Sequence, residues 1–325
     1  MLRTAALLPF LTVAMFAQEK VADLWIQDFA KAKAQAKAEK KDLLIDFTGS
    51  DWCGWCIKLD KEVFSQAAFQ ASAPKSFILV KLDYPQNESL VTEDIRKQNA
   101  GLQTEYSIQG YPTILLTDAE GRVYAQTGYQ EGGPEKYNDH LAELHKKGDA
   151  FKTAIAAAEG KQGAERAKAL AAVLATLEDE VAETHHFKFM KEIVELDADG
   201  KAGLKAKYED KVKEIGQRRE LNEVANELNQ LVSEHMQKGE GEQALAKLDE
   251  ILKAPKSKLR QQMALFFKGM VTMDVKGDAK AAVALLEEAQ KLIPDSPIAG
   301  RIDEILPDLK KQVEDGKEEK KEEGK

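Results

Sequence analysis

Apolar positions change their rhythm about halfway along the chain. In the first half, Trp25, Phe29, Ala32 and Ala36 recur at helical spacing and stop at the charged run Glu39-Lys40-Lys41-Asp42. Residues 43–47 and 77–82 are short apolar runs of strand length, with Asp46 embedded in the first and Lys81 in the second. Residues 53–69 read as a helix between them, and residues 92–106 form another amphipathic stretch. Residues 113–117 and 123–125 flank Asp118-Ala119-Glu120-Gly121, a hairpin signal. Residues 134–147 read as a closing helix with Pro134 at its start. Helices and strands in alternation, then a hairpin and a helix, predict an α/β sandwich: a mixed central sheet flanked by helices.

Beyond residue 150 the pattern is helical throughout. Leu221, Val224, Ala225, Leu228, Leu231 and Val232 form one apolar stripe, and Ala244, Leu245, Leu248, Ile251 and Leu252 the next, across a turn at Lys238-Gly239-Glu240-Gly241. Residues 239–250 align with 277–288 at a spacing of 38, with Gly, Ala, Ala, Leu and Glu coinciding. The segment from Gly277 through Leu292-Ile293-Pro294-Asp295-Ser296 resembles the second helix of a tetratricopeptide repeat and its exit, with residues 259–273 as the other helix. The match is degenerate and its period exceeds the usual value of about 34, so stacked helical hairpins and a plain bundle both stay open.

The aromatic residues sharpen this division. Of 22 Phe, Trp and Tyr residues, 16 precede residue 150, and residues 135–254 lack proline. The predicted organisation is therefore a signal peptide at 1–17, an α/β domain at 21–148, and an all-α domain at 151–310, repeat-like within 221–306. A charged tail at 311–325, nearly all Glu and Lys from Gly316, is expected to be disordered. The signal-peptide reading rests on Arg3 followed by an apolar stretch over residues 5–17 that is too short to span a bilayer. Cleavage after Ala17 or Ala14 would leave a mature protein with no second apolar run of that length, periplasmic or secreted. The competing reading is an uncleaved N-terminal helix.

Charge narrows the function classes. Lys and Arg total 47 against 56 Asp and Glu, a net charge of −9 that offers no basic surplus for nucleic acid. The two cysteines are too few for a disulfide-stapled scaffold, and both fall in Cys53-Gly54-Trp55-Cys56, after a predicted strand and opening a predicted helix. Unpaired N–H groups at a helix start stabilise a thiolate, the species that attacks a disulfide. Cys53, at the exposed edge, would attack; Cys56, one turn further in, would resolve the mixed disulfide. Other readings are half of a zinc site, for which His140, His145, His185, His186 and His235 offer no ligand spacing, a structural disulfide, or two unrelated buried thiols. Asp197-Ala198-Asp199-Gly200 lacks the oxygen ligands of a calcium loop and reads as a helix cap and turn. His185-His186 reads as a helix face, and residues 85–100 as an insertion without chemistry of its own.

Four separated features resemble the thioredoxin superfamily over roughly residues 23–148: the strand–Trp52-Cys53-Gly54-Trp55-Cys56–helix unit, Gly110-Tyr111-Pro112-Thr113 before a strand, Asp46 in the strand before the cysteines, and Lys81 in Val80-Lys81-Leu82-Asp83. The resemblance implies that Cys53 and Cys56 form a redox-active disulfide and that Pro112 is cis and faces it. It also implies that the backbone of Tyr111 pairs with the substrate peptide, that Asp46 moves protons to and from Cys56, and that Lys81 pairs with Asp46. The alternative for Asp46 and Lys81 is solvation at strand ends. Trp52 and Trp55 would form an apolar rim for flexible protein substrates, or simply pack. Two departures stand out. Residues 47–52 place six residues between Asp46 and Cys53, one more than in ordinary thioredoxins, and the Gly-Trp dipeptide carries no histidine to favour oxidation. The expected activity is that of an exported thiol–disulfide oxidoreductase without a bound cofactor, more reducing than oxidising. It would act on client proteins with cysteines and exchange electrons with a redox partner. The rival expectation is an adaptor whose helical domain binds a partner and whose α/β domain is a platform.

Overall fold

The computed structural model describes residues 24–322, with side chains as far as residue 315. The signal-peptide expectation at 1–17 lies outside the described residues. The chain divides between Glu209 and Asp210 into two compact units.

The first unit is built on five strands: β1 (Trp25–Ile26), β2 (Asp42–Thr48), β3 (Phe77–Asp83), β4 (Thr113–Thr117) and β5 (Val123–Thr127), in the order β1-β3-β2-β4-β5. β3 runs parallel to both β1 and β2, whereas β4 runs antiparallel to β2 and to β5. Every residue of the central strand β2 is buried, which explains its continuous apolar run. In register, Asp46 lies opposite Lys81 on one side and Ile114 on the other.

Helix α1 (Phe29–Glu39) starts at Asp28, whose side chain accepts from the Lys31 N–H, and buries Phe29, Ala32 and Ala36. Trp25 does not extend this helix, despite its spacing. It sits in β1, with its ring 5.0 Å from Phe64 and 6.3 Å from Phe69. The helix expected over 53–69 is divided. Helix α2 (Gly54–Leu59) passes into a π-helical turn at Asp60–Phe64, and α3 (Ala67–Ser72) starts afresh. Val63 and Phe64 of this turn are both buried. Helix α4 (Glu93–Glu105) is capped by Thr92.

Helix α5 (Gly133–Ala158) runs through the composition shift at 148–151 without a break. Gly148 sits inside it because the Tyr124 ring fills the space beside its Cα; an added Cβ would lie 2.6 Å from that ring. Helices α6 (Gly163–Leu174), α7 (Asp179–His185) and α8 (Phe187–Leu196) follow in the same unit. Val181 joins the core cluster of Leu43, Ile45, Phe47, Val80 and Val123, and Leu177 packs against it. Buried His186 donates from Nε2 to the Val123 carbonyl at 2.5 Å. Polar helices thus contribute to the core of an α/β sheet whose own strands supply most of the bulk.

Asp197 accepts from the backbone N–H of Ala202 (2.6 Å), Leu204 (2.7 Å) and Lys205 (2.8 Å), capping the start of α9 (Lys205–Gln237). In the second unit, α10 (Gly241–Lys253), α11 (Lys258–Lys276), α12 (Ala279–Leu292) and α13 (Pro297–Glu322) follow α9. Val224 and Leu228 of α9 pack with Leu245 and Leu248 of α10 and Met263 of α11. Leu265 and Phe266 of α11 pack with Leu286 of α12 and Ile302 of α13. Buried Gln262 donates to the carbonyls of Ala289 and Ile293, both at 3.0 Å, and accepts from Ser296 Oγ at 2.8 Å. Where the composition at 311–325 led to an expectation of disorder, α13 continues to Glu322. Glu and Lys are good helix formers, so a run of them can extend a helix already nucleated by packing.

Candidate functional site

Cys53 is the N-cap of α2, with φ −82° and ψ 102°, and is bonded to Cys56 at an S–S distance of 2.09 Å. The Cys56 N–H donates to Cys53 Sγ at 3.2 Å, so the backbone start of the helix points at the outer sulfur. Cys53 is 7% exposed and Cys56 3%. The site also holds a cis peptide bond between Tyr111 and Pro112, at the entry to β4. The Tyr111 and Trp52 rings meet edge-on at 5.7 Å, bringing the cis loop beside the cysteine loop.

The longer loop before Cys53 is tied down residue by residue. Ser50 donates from its backbone N–H to Asp83 Oδ1 at 2.9 Å and from Oγ to Oδ2 at 2.6 Å. Asp51 accepts from the backbone N–H groups of Gln86 (2.9 Å) and Asn87 (2.8 Å). Trp52 donates from Nε1 to the Tyr84 carbonyl at 2.8 Å, and its indole covers Gly49, where a Cβ would come within 2.5 Å of the ring. Buried Asn99 completes the support by donating to the Asp83 carbonyl at 2.9 Å. The extra residue that sets this loop apart is thus absorbed in hydrogen bonds to the exit of β3.

Around the disulfide lie two groups of aromatic rings. Trp52, Tyr111 and Tyr84 form one; the Tyr84 hydroxyl donates to the Asn99 carbonyl, and Gln103 donates to the Tyr111 hydroxyl. Trp55 and Tyr129 form the other, with centroids 5.3 Å apart and Lys58 Nζ over both rings at 5.1 and 4.7 Å. The Tyr129 hydroxyl donates to Glu62 at 2.5 Å. Trp52 is 43% exposed and Trp55 57%, so neither is simply packed away.

Asp46 is buried in the middle of β2, and its Oδ1 has no hydrogen-bond partner. Burial pushes its carboxyl up to about 8; the Lys81 charge opposes this, and the charges of Asp60 and Asp83 add to it. Lys81, half-buried opposite it in register, acts through its field, since among the described residues no ion pair joins the two within 4.0 Å.

Trp52 and Trp55 adjoin the bonded cysteines in the chain, the cis Tyr111–Pro112 loop meets the cysteine loop through the Trp52–Tyr111 ring contact, and Asp46 and Lys81 share one register position of the central strands. Sequence reasoning missed Asp51, Asp83, Tyr84, Asn99, Lys58, Glu62 and Tyr129. Most of their contacts join residues far apart in the chain, and no local spacing announces them.

The sequence profile of a family described as thioredoxin-like matches residues 24–119. The chain belongs to the thioredoxin-like family, and with the bonded Cys53–Cys56 pair at the head of α2 it is a thiol–disulfide oxidoreductase by class. Among its relatives is the disulfide bond reductase DsbH of Chlamydia pneumoniae, 34% identical over 116 residues that cover 36% of this chain and 69% of that protein. Another is the thioredoxin-related protein DsbJ of the same organism, 32% identical over 105 residues that cover 32% of this chain and 30% of DsbJ. Solved structures similar to it include a DsbH oxidoreductase, 32% identical over 38% of this chain and 83% of that one, with a TM-score of 0.36. The oxidised C-terminal domain of Neisseria meningitidis DsbD matches 35% of this chain and 90% of that one, at 18% identity and a TM-score of 0.26.

Proposed function

We propose that the protein is exported and reduces disulfides of client proteins through Cys53 and Cys56. The observation that carries the reading is the closed Cys53–Cys56 pair at the N-cap of α2, its outer sulfur accepting a backbone N–H. In the reduced enzyme the Cys53 thiolate attacks one sulfur of a client disulfide, forming a mixed disulfide and releasing one client thiolate. The Cys56 thiolate then attacks Cys53 Sγ and releases the second client thiolate, leaving the Cys53–Cys56 disulfide. The client gains two electrons, and a redox partner must return two electrons and two protons to the pair. Asp46 takes the proton from the Cys56 thiol as it becomes the nucleophile and returns one on reduction; a carboxyl pushed up to about 8 is suited to both transfers near neutral pH. Lys81 keeps that carboxyl from rising further. Pro112 and the Tyr111 backbone receive the client peptide beside the disulfide, between the rings of Trp52 and Trp55.

Two observations support the reducing direction. Gly54 and Trp55 place no charge between the cysteines to stabilise the thiolate, and the 34% identical relative is named a disulfide bond reductase. Export is supported by Arg3 and the apolar stretch at 5–17. Among the described residues no helix is long and apolar enough to cross a membrane.

The test is the reduction potential, measured by equilibrating the protein in glutathione or dithiothreitol buffers and counting free thiols by alkylation and mass. A value near about −270 mV is expected, whereas one nearer about −120 mV would make the protein a disulfide donor. Cys53→Ser should abolish activity, and Cys56→Ser should trap clients as mixed disulfides on Cys53. If Cys53→Ser preserved the biological phenotype, the helical unit would be the working part and the adaptor reading would replace this one.

A further inference from the structure

Among the described residues, the large apolar side chains that stay exposed are Trp52, Trp55, Ile57 and Leu90, the last at 51%. Three of them belong to the cysteine loop and α2. A single exposed Leu is ordinary on a protein surface, but Leu90 is tied to that same loop. Leu90 ends the 3-10 turn Glu88–Leu90, and its N–H donates to the Asn87 carbonyl at 3.1 Å. Asn87 in turn donates its N–H to Asp51, two residues before Cys53.

This turn is constructed rather than loose. The Asn87 side chain accepts from the Ser89 N–H at 3.2 Å and from Ser89 Oγ at 2.7 Å, Arg96 pairs with Glu88, and Val91 is buried behind it. Asp51 holds it from the other side with two charge-assisted hydrogen bonds, and the Asn87 N–H keeps that carboxyl below the usual carboxylate range. Trp52, bonded to the Tyr84 carbonyl, lies between the turn and the disulfide in the run of contacts.

We propose that the turn at residues 86–90 extends the client-docking face, with Leu90 contacting apolar side chains of the client polypeptide and Asp51 as the positioning residue that holds the turn against the cysteine loop. The inference rests on the reading that Cys53 and Cys56 exchange disulfides with client proteins. The occupant is a flexible, disulfide-bearing polypeptide, because the turn is bonded through Asp51 to the loop that carries Cys53, half of the disulfide such a client must reach. A turn fixed before the client arrives spends little ordering entropy when it binds. A small disulfide reaches Cys53 without touching it.

The experiment compares two substrates, insulin and glutathione disulfide, for the full chain with dithiothreitol as electron source. Leu90→Ser and Asp51→Ala should each raise KM for insulin about fivefold while kcat stays within about twofold, as expected for lost apolar contact that does not enter the chemical step. Both constants for glutathione disulfide should stay within about twofold. Asp51→Asn, which keeps one carbonyl acceptor, should recover part of the insulin KM. An unchanged insulin KM in Leu90→Ser, with normal turnover of glutathione disulfide, would overturn the docking inference alone. Equal losses on both substrates in Asp51→Ala would also overturn it, because the loop would then be serving Cys53 and not the client. Wild-type protein inactive on both substrates would sink the exchange reading and this inference with it.

Discussion

Asp42 and Asp46 lie four residues apart on β2, on the same face of the strand, and each is 4% exposed. Their electrostatics are nonetheless opposite. Asp42 accepts from the Tyr124 hydroxyl at 2.9 Å, from Lys152 Nζ at 3.0 and 2.9 Å, and faces His145 Nε2 at 3.2 Å. Burial alone would raise its carboxyl, but the hydrogen bonds from His145, Lys152 and Tyr124 and the Lys152 charge hold it below the usual range. Asp46 is as little exposed but lies deeper from solvent, without such partners, and burial wins. Low exposure alone therefore does not fix the direction in which a buried acid shifts. Hydrogen-bonding partners and depth decide it together: α5 brings His145 and Lys152, and β5 brings Tyr124, to Asp42, whereas Oδ1 of Asp46 has no such partner.

The largest effect should come from Asp46→Asn. The unfolded aspartate ionises above its ordinary value of 3.8, whereas the folded one stays protonated up to about 8, so the wild type loses stability as pH rises through that window. Removing the carboxyl should stabilise the fold by roughly 4 kcal/mol at pH 7 and by almost nothing below pH ~4, measured as denaturant midpoints at the two pH values. Asp42→Asn should act in the opposite sense, costing about 2–3 kcal/mol at neutral pH. Asp42 is held low in the folded state, so its contribution is present above its unfolded value and is lost as pH falls below about 4. If the two variants moved stability in the same direction at pH 7, the contrast between the two ends of β2 would fail. Gly148→Ala sharpens the same contrast through geometry. It should push α5 off Tyr124, the residue that bonds Asp42, at about 1–3 kcal/mol in a thermal melt. The exposed Lys97–Glu93 pair on α4 is the control, and Lys97→Ala should leave the midpoint within experimental error.

The neighbourhood of Asp46 could be read from the chain because its strand runs, turn residues and cysteine spacing are local signals. The apolar runs placed Asp46 and Lys81 within strands, and the resemblance to the thioredoxin superfamily paired them and marked Gly110-Tyr111-Pro112-Thr113 as a proline loop before a strand. The Asp42 cluster gave no such signal. Tyr124 and Lys152 lie 82 and 110 residues away, and Lys152 reaches Asp42 only because α5 continues past residue 147. Gly148 falls at the composition shift; its role is close approach to the Tyr124 ring, which no neighbouring residue encodes. The contacts of Asp51 were hidden for the same reason, since Gln86 and Asn87 lie 35 and 36 residues on. Local patterns thus exposed the strands and the chemistry, whereas the supports for both depended on topology.

The distribution of aromatic side chains also gives the molecule a built-in optical reporter. Its three tryptophans are Trp25, Trp52 and Trp55, and its seven tyrosines end at Tyr208, so the second unit, from Asp210 onward, contains neither residue type. A neighbouring disulfide quenches indole emission, so opening Cys53–Cys56 brightens the flanking rings without a label. Ultraviolet fluorescence then follows the first unit alone, while the helical circular dichroism signal sums both. A difference between the two melting curves separates the units without cutting the chain.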